Sequence, residues 1–194
     1  MNKKNTILSF LAGAAMLAGA PSAFAAGEGW FVAARAGSGS VDENVLDDSD
    51  TALGVSGGYR WGWLGLEVGY VDFGAWRRDF DGFLEDDTPI TAVSVAELQG
   101  WTVGVNARAQ LSPKWSLTGR AGVFDWNTNA FTDVPTFARA DLDESGTDWY
   151  AGVGVAYSVT ERFDLGVAYD HYNANGDVFD LSPDVLSATA EFRF

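Results

Sequence analysis

The chain has no cysteine, a single histidine and few basic residues: 12 lysines and arginines stand against 27 aspartates and glutamates, for a formal net charge of −15. Without cysteine the chain can form no disulfide, no thiol nucleophile and no cysteine-based metal site. The acidic excess argues against nucleic-acid binding, which needs a basic surface to neutralise phosphates. No segment beyond the amino terminus approaches the ~18 consecutive apolar residues of a spanning helix, so no helical membrane anchor is expected.

The amino-terminal segment has the features of a secretory signal. Two lysines precede an apolar run over 7–20, and an A-x-A cleavage motif ends at Ala25. We therefore predict that residues 1–25 are removed by cleavage between Ala25 and Ala26, and that 26–194 form one domain. The exported chain is rich in tryptophan and phenylalanine, and an acidic disordered chain would be poor in them.

The carboxyl end alternates strictly between apolar and polar side chains over residues 185–194. Such a period of two predicts a β-strand with one apolar and one polar face. Taken alone, the pattern fits either a membrane-spanning strand or an edge strand of a soluble sandwich. The apolar members are Leu186, Ala188, Ala190, Phe192 and Phe194, and the polar members are Ser187, Thr189, Glu191 and Arg193.

Eight runs of this alternating character follow the signal, and no stretch shows a sustained helical period. Three connections are short turns and four are long and acidic, which is how outer-membrane barrels of bacteria are organised. The sequence therefore predicts an all-β fold, an eight-stranded antiparallel up-and-down transmembrane β-barrel with both termini on the short-turn side. The runs are 29–38, 51–60, 64–74, 98–111, 115–126, 147–158, 163–172 and 185–194; the long connections lie near 39–50, 75–97, 127–146 and 173–184.

The distribution of glycines and aromatics predicts which face of the barrel is outside. Glycines such as Gly58 and Gly152 crowd the charged face, as a cramped interior with bulky arginines requires. Aromatic residues lie near strand ends, as interfacial girdles do: Trp30 at the turn side, and Phe73 and Trp101 towards the loops. We therefore expect the apolar face to contact lipid and the charged face to line the interior.

Several short motifs, in their order and spacing, resemble those of the OmpA-like eight-stranded transmembrane barrels. In that family inward-facing bases and acids form an ion-paired plug, and by motif Arg35 and Glu67 match the first-strand base and the third-strand acid. Small residues stand at Ala156, Gly166 and Ala168, where the family often places charges, so we expect other residues to complete the plug. The motifs are Trp30–Gly37, Gly57–Arg60, Leu66–Tyr70, Gly152–Tyr157 and Phe192–Phe194.

The charged face and this resemblance together predict an interior polar network and an assembly signal. Phe192 and Phe194 are predicted to be the signal that the barrel-assembly machinery and periplasmic chaperones recognise. The network residues are predicted to be structural, because an eight-stranded barrel is just wide enough for its side chains to fill it. The predicted network comprises Arg35, Arg60, Glu67, Asn106, Arg108, Arg120, Glu191 and Arg193.

The resemblance implies an integral protein of the Gram-negative outer membrane, a monomer with its long loops extracellular and with outer-membrane lipid and lipopolysaccharide as neighbours. We expect a structural or surface-interaction role, with no catalysis and no cofactor. A narrow or gated ion-scale channel is the alternative, because interior charges can also line a conduction path. A lipid A-modifying enzyme is a more distant alternative, since His171 lies near the predicted external rim but lacks an evident serine nucleophile.

The acidic loops contain weak candidates for divalent-cation ligands. The densest acidic run is Glu85, Asp86 and Asp87. The segment 141–146 resembles half of a calcium-binding loop through Asp141 and Asp143, but a glycine occupies the position of the bidentate glutamate. A charged, solvated surface without specific cation binding is the alternative interpretation.

Overall fold

The computed structural model describes residues 28–41, 50–83, 89–133, 140–176 and 180–194. Within these ranges the chain forms ten β-strands and no helix, so no described helix could cross a membrane. The predicted signal at 1–25 and its cleavage site lie outside the described residues. The strands are β1 (Gly29–Val41), β2 (Asp50–Trp61), β3 (Leu64–Phe83), β4 (Pro89–Gln110), β5 (Trp115–Asp133), β6 (Ala140–Ser158), β7 (Phe163–Tyr172), β8 (Ala174–Asn175), β9 (Asp180–Leu181) and β10 (Pro183–Arg193).

Eight of these strands form a closed antiparallel barrel in the order β1-β10-β7-β6-β5-β4-β3-β2. The first and last strands close it through a continuous register from Phe31 opposite Arg193 to Val41 opposite Pro183. Apart from this closing pair, each barrel strand is hydrogen-bonded to the barrel strand that precedes or follows it in the sequence. This arrangement is an up-and-down topology. The predicted fold is therefore confirmed. β8 and β9 form a separate two-stranded hairpin within the connection from β7 to β10.

Four strands continue far beyond their predicted ends. β3 runs to Phe83, β4 begins at Pro89, β5 runs to Asp133 and β6 begins at Ala140. The prediction of long loops near 75–97 and 127–146 was therefore wrong, because most of those residues belong to two extended hairpins. Where both faces of the sheet meet water, side chains no longer alternate between apolar and polar. The backbone hydrogen bonds between strands continue there, because they need no apolar face.

The outer surface is apolar across the belt of the barrel. Leu66, Val103 and Val153 point outward and are 56%, 55% and 62% exposed. Their inward neighbours Glu67, Thr102 and the glycine at 152 alternate with them, as the pleat requires. A soluble protein would bury such a surface, and its exposure fits the predicted contact with lipid.

Phe73 is placed differently from its prediction. It is 0% exposed in the barrel interior, not at the outer girdle. It shares the inward phase of β3 with Glu67 and Val71, both of which are also buried. An aromatic residue near a strand end suggested a girdle position. The alternation of side chains along β3 instead indicates that Phe73 points into the barrel.

Directly after Phe73, β3 contains a β-bulge. The register with β4 shifts between Asp72 and Ala75, where three steps on β3 face two on β4. Gly74 adopts a φ of 80° and donates its backbone N–H to the Asp72 carboxylate at 2.8 Å. Glycine is favoured here because other L-residues rarely adopt this conformation. The bulge lies where the barrel ends and the projecting hairpin begins.

Candidate functional site in the barrel interior

The interior consists of two layers. Polar and charged side chains fill the part nearer the short turns and the middle of the barrel. Apolar and aromatic side chains fill the part nearer the long hairpins. The buried members of the apolar layer are Ala52, Val71, Phe73, Leu98, Phe124, Trp126, Tyr150, Tyr172, Ala174 and Val185.

Two carboxylates link three arginines in the lower part of the polar layer. Glu191 accepts hydrogen bonds from Arg60 at 2.9 and 3.1 Å and from Arg108 at 3.3 Å. Asp164 accepts from Arg108 at 2.5 Å and from Arg193 at 3.0 Å. Both carboxylates therefore bridge two cations from different strands, and the five side chains form one continuous ion-paired chain.

Asn106 connects this chain to Glu67. Its Oδ1 accepts from Arg60 Nε at 3.0 Å, and its Nδ2 donates to Glu67 Oε2 at 3.0 Å. The Arg60 guanidinium carbon also lies 4.4 Å from the centre of the Phe31 ring. A side-chain amide can accept a hydrogen bond from an arginine through its oxygen and donate one to a carboxylate through its nitrogen, so asparagine suits this position.

Glu67 and Arg120 form the upper part of the polar layer. Glu67 Oε1 accepts from Tyr150 Oη at 3.1 Å and lies 3.4 Å from Arg120 Nη1. Arg120 donates from Nε to Asp170 at 2.7 Å and from Nη2 to the Tyr172 hydroxyl. The side chains of Glu67, Arg120 and Asp170 are 0%, 7% and 2% exposed, so each depends on these partners in place of water.

Arg35 stands apart from the other predicted members. Its Nη1 donates to the Ser56 hydroxyl at 2.9 Å, and no carboxylate among the described residues pairs with it. The structure thus puts Arg35 and Glu67 on the same inner surface without a direct contact between them. Of the remaining seven predicted residues, six are joined directly to one another through hydrogen bonds and ion pairs, and Arg193 joins them through Asp164.

Six further residues that contact the polar layer were not among its predicted members: Ser56, Tyr150, Ser158, Asp164, Asp170 and Tyr172. Asp164 and Asp170 lie in the inward phase of β7, and that phase was the available signal for them. Tyr150 and Tyr172 also lie in the inward phase of their strands, but tyrosine in a predicted membrane barrel favoured a girdle position. Ser56 gave no signal beyond its phase.

Aromatic rings fill the upper interior. The Phe73 ring lies 5.0 Å from that of Tyr172 and 6.0 Å from that of Phe124, both in edge-to-face geometry. The rings of Tyr150 and Tyr172 stack at 5.7 Å. Edge-to-face contacts of this kind stabilise beyond the area that they bury. This layer separates the ion-paired network from the hairpin end.

A cavity of about 40 Å³ remains within the charged layer. Arg35, the threonines at 118 and 189, and the small side chains of Ala156 and Ala168 contribute to its lining. Such a volume has room for about three water molecules. It is much smaller than the aqueous channel of a wide porin.

His171 lies on the outer face near the hairpin-side rim. Its Nδ1 is 2.8 Å from Asp184 Oδ1, and its ring is 5.1 Å from that of Trp149. The nearby hydroxyl of Ser182 donates to Asn173 Oδ1 at 3.1 Å. Among the described residues no serine hydroxyl is hydrogen-bonded to His171, so a nucleophile, base and acid are not assembled in series there.

The candidate cation ligands belong to two separate segments of the sequence. Glu85, Asp86 and Asp87 lie outside the described residues. Asp141 and Asp143 belong to β6, and an extended strand does not wrap its carboxylates around one ion as a calcium loop does. In the part of the chain that the structure describes, no three potential ligands cluster to hold a metal ion.

The predicted assembly signal lies at the turn-side end of the closing seam. The rings of Phe192 and Phe194 contact at 5.2 Å in edge-to-face geometry. The backbone N–H of Phe194 donates to the carbonyl of Trp30 at 3.0 Å, and Phe192 pairs with Val32 and Phe163 on its two neighbouring strands.

The sequence matches a family model described as "Outer membrane protein beta-barrel domain" over residues 9–194. A comparison with curated proteins gives no match. Solved structures with a similar fold include Neisserial surface protein A, at 17% identity and a TM-score of 0.57 over 85% of this chain and 97% of that one. OprG from Pseudomonas aeruginosa is 15% identical, with a TM-score of 0.54 over 86% and 98% of the two chains.

Ail, the attachment invasion locus protein of Yersinia pestis, is also similar, at 16% identity and a TM-score of 0.51 over 85% of this chain and 97% of that one. It has also been solved with the heparin analogue sucrose octasulfate. At these identities the resemblance establishes the fold alone.

Proposed function

Since the chain belongs to the family of outer membrane protein β-barrel domains, we propose that it is a monomeric barrel of the Gram-negative outer membrane that serves as a surface-interaction platform. In this proposal the two long hairpins face the exterior of the cell. The interior network and aromatic layer hold the barrel rigid beneath them.

The observation that carries the proposal is the projection of β3 to β6 beyond the rest of the barrel. The ladder between β2 and β3 ends at Leu53 opposite Asp72, and that between β6 and β7 ends at Tyr150 opposite Tyr172. Beyond those pairs β4 and β5 stay paired as far as Val93 opposite Asp133. With 20 residues, β3 is about twice as long as the ~9–11 residues that a tilted strand needs to cross a membrane.

The charge of these hairpins favours a cationic partner. Residues 75–97 and 127–146 contain ten acids and three arginines. Basic protein surfaces complement such a sheet, and divalent cations could bridge it to anionic lipopolysaccharide. A sulfated polyanion such as the heparin analogue bound by Ail would be repelled.

Epitope insertion tests the orientation. A tag placed between residues 85 and 86, in the segment that links β3 to β4, should be labelled by antibody on intact cells. The same tag at Pro113, in the short turn between β4 and β5, is the matched control and should be labelled only after the outer membrane is permeabilised. The reverse labelling would contradict the proposed orientation.

Hairpin shortening tests the platform. Replacing residues 78–94 by an Asn-Gly turn removes the upper β3–β4 ladder and leaves the belt intact. Intact cells should then bind less fluorescent polylysine than cells with the full barrel, while heparin binding should be low in both. Equal polylysine binding at equal surface expression would count against a role for this hairpin.

A narrow channel is the second candidate function, and the charged interior is the observation that favours it. Against it, aromatic side chains fill the space above the network. Planar-bilayer recording of the refolded protein separates the two. The proposal expects no steady conductance, and a reproducible single-channel step would establish the channel.

A further inference from the structure

A groove interrupts the apolar belt on the lipid-facing side of β4, β5 and β6. Its volume is about 460 Å³, within the ~300–1,000 Å³ range of small-molecule sites. Small residues form its floor, whereas neighbouring outward positions carry larger side chains such as Leu117 and Val123. A Cβ at position 119 would meet its nearest neighbouring atom only at 3.9 Å. The floor residues are Ala107, Gly119, Ala121 and Ala151, and Val105, Val153 and Tyr169 flank them.

One end of the groove leads to a polar pair on the same outer face. Ala151 on β6 is the register partner of His171 on β7, and His171 is in turn the partner of Asp184 on β10. Nδ1 of His171 is 2.8 Å from Asp184 Oδ1, and the two side chains are 34% and 26% exposed. Among the described residues, His171 Nε2 and Asp184 Oδ2 have no hydrogen-bond partner. Both atoms can therefore meet a ligand.

The polar pair lies where the apolar belt ends. Along β7 the outward side chain of Tyr169 is followed by that of His171. Along β10 the outward Leu186 is preceded by Asp184. The exposed Trp149 ring lies 5.1 Å from the His171 ring. Tryptophan and tyrosine in such positions mark the boundary between hydrocarbon and headgroups, so the groove lies at the level of lipid chains and the pair at the level of headgroups.

These features favour a single lipid molecule as the occupant. A concave floor contacts a hydrocarbon chain on more sides than a flat belt does, and packing contacts of this kind drive association inside a membrane. A second barrel is disfavoured, because copies with a net charge of −15 repel one another.

The polar pair favours a headgroup that carries an ammonium next to a phosphate. The Asp184 carboxylate repels a headgroup that is only anionic and attracts an ammonium, whose N–H groups can donate to Oδ2. When the His171 ring is protonated, its Nε2 can donate to the adjoining phosphate. The acid and the base of the pair thus complement the two opposite charges of a zwitterionic headgroup.

We propose that this groove, with His171 and Asp184 at its end, binds one phospholipid that has a phosphoethanolamine headgroup. One acyl chain occupies the groove, the ammonium donates to Asp184, and the phosphate lies beside His171. The site uses the lipid-facing surface alone and is independent of the role proposed for the hairpins.

Lipid retention tests the site. The refolded barrel is placed in nanodiscs with equal amounts of phosphatidylethanolamine, phosphatidylcholine and phosphatidylglycerol that carry the same acyl chains. It is then released into mild detergent and examined by native mass spectrometry, where one phosphatidylethanolamine should remain per barrel. The choline lipid has no N–H donor and the glycerol lipid has no ammonium. Both should be retained about tenfold less, as the loss of a charge-assisted hydrogen bond implies.

Two variants remove the two halves of the site. Asp184→Asn removes the carboxylate and Ala121→Phe fills the groove, and each should abolish the preferential retention of phosphatidylethanolamine. Asp125→Asn and Ala188→Phe make the same changes at exposed outward positions that do not line the groove, so these matched controls should retain the lipid. Heat-modifiable migration reports whether each variant folds, and Ala121→Phe decides the question if Asp184→Asn does not fold.

Three outcomes would overturn the proposal. The first is equal retention of the three lipids by the unmodified barrel. The second is an equal loss of phosphatidylethanolamine in Ala121→Phe and Ala188→Phe, which would show a general effect of bulk on the belt. The third is a lipid-free dimer that Ala121→Phe dissociates, since the groove would then belong to a contact between two copies.

Discussion

At the scale of single residues, Glu67 occupies the junction of the interior network. It receives hydrogen bonds from Asn106 and Tyr150 and an ion pair from Arg120. These partners come from three different strands, β4, β5 and β6. Loss of this one carboxylate therefore removes one of the two counter-charges of Arg120, the other being Asp170, and leaves the donors of Asn106 and Tyr150 without this acceptor.

We expect Glu67→Ala to destabilise the barrel by about 2–6 kcal/mol, because two buried donors, on Asn106 and Tyr150, lose their acceptor at about 1–3 kcal/mol each. The measurement is urea unfolding in lipid vesicles. Glu161→Ala, in the exposed turn between β6 and β7, is the matched control and should change stability by less than about 0.5 kcal/mol. A Glu67 variant as stable as this control would show that water replaces the lost carboxylate.

Inward glycines leave space for specific side chains. A Cβ at position 152 would overlap the Asp170 carboxylate, whereas a Cβ at position 54 would meet its nearest neighbour, the Tyr70 carbonyl, at an ordinary 3.6 Å. We expect Gly152→Ala to displace Asp170 from Arg120 and to lower stability by about 1–3 kcal/mol. Gly54→Ala should be nearly neutral, and similar urea midpoints for the two variants would contradict this assignment.

The sequence predicted which side chains face the interior but not which of them pair with one another. Strand phase was sufficient to assign Arg60, Glu67 and Arg120 to the inner face. It could not tell which acid each base would meet, because pairing depends on the tilt and stagger that closure imposes. The match of Arg35 with Glu67 came from motif position, and in the folded barrel Arg35 contacts Ser56 instead.

At the scale of elements, strand existence could be predicted more reliably than strand length. β7 was predicted with its observed bounds, 163–172, because lipid on one side keeps its alternation strict. β6 was predicted to start at 147 and starts at Ala140, within an acidic stretch. Beyond the rim of the barrel both faces of the sheet meet water, so the polarity of the side chains no longer reveals that the residues form a strand.

The closing strand β10 provides an element-scale prediction. Deleting Phe194 removes its hydrogen bond to Trp30 and its ring contact with Phe192 at the base of the seam. We expect unfolded protein to accumulate in the periplasm and the heat-modifiable folded band to be lost. Phe194→Trp keeps both an aromatic ring and the backbone donor, so it should assemble normally. A normal outer-membrane yield of the deletion would remove Phe194 from the assembly signal.

At the scale of the whole molecule, the acidic excess opposes the association of separate copies. The net charge of −15 at neutral pH corresponds to an isoelectric point of about 4.1. Mutual repulsion of this kind keeps proteins soluble and monomeric. The apolar belt does not oppose it, because lipid or detergent covers that surface.

We expect light scattering of the detergent-solubilised protein to report a monomer at pH 7 and association as the pH approaches 4.1. Association is expected at low pH because the carboxylates gain protons as the pH falls and so lose their negative charge and their mutual repulsion. Raising the pH again should reverse the association. A stable oligomer at pH 7 would contradict the monomeric assignment.

The seam between β1 and β10 joins residues from opposite ends of the domain, such as Phe31 and Arg193. A contact between positions so distant in sequence carries a large loop-closure entropy and belongs to the slow end of folding kinetics. Until that ladder forms, the partly built sheet has two open edges, each able to pair with another chain. The time spent before closure is therefore the period of greatest aggregation risk, and any cellular factor that shields those two edges would act on the rate of folding and leave the final stability unchanged.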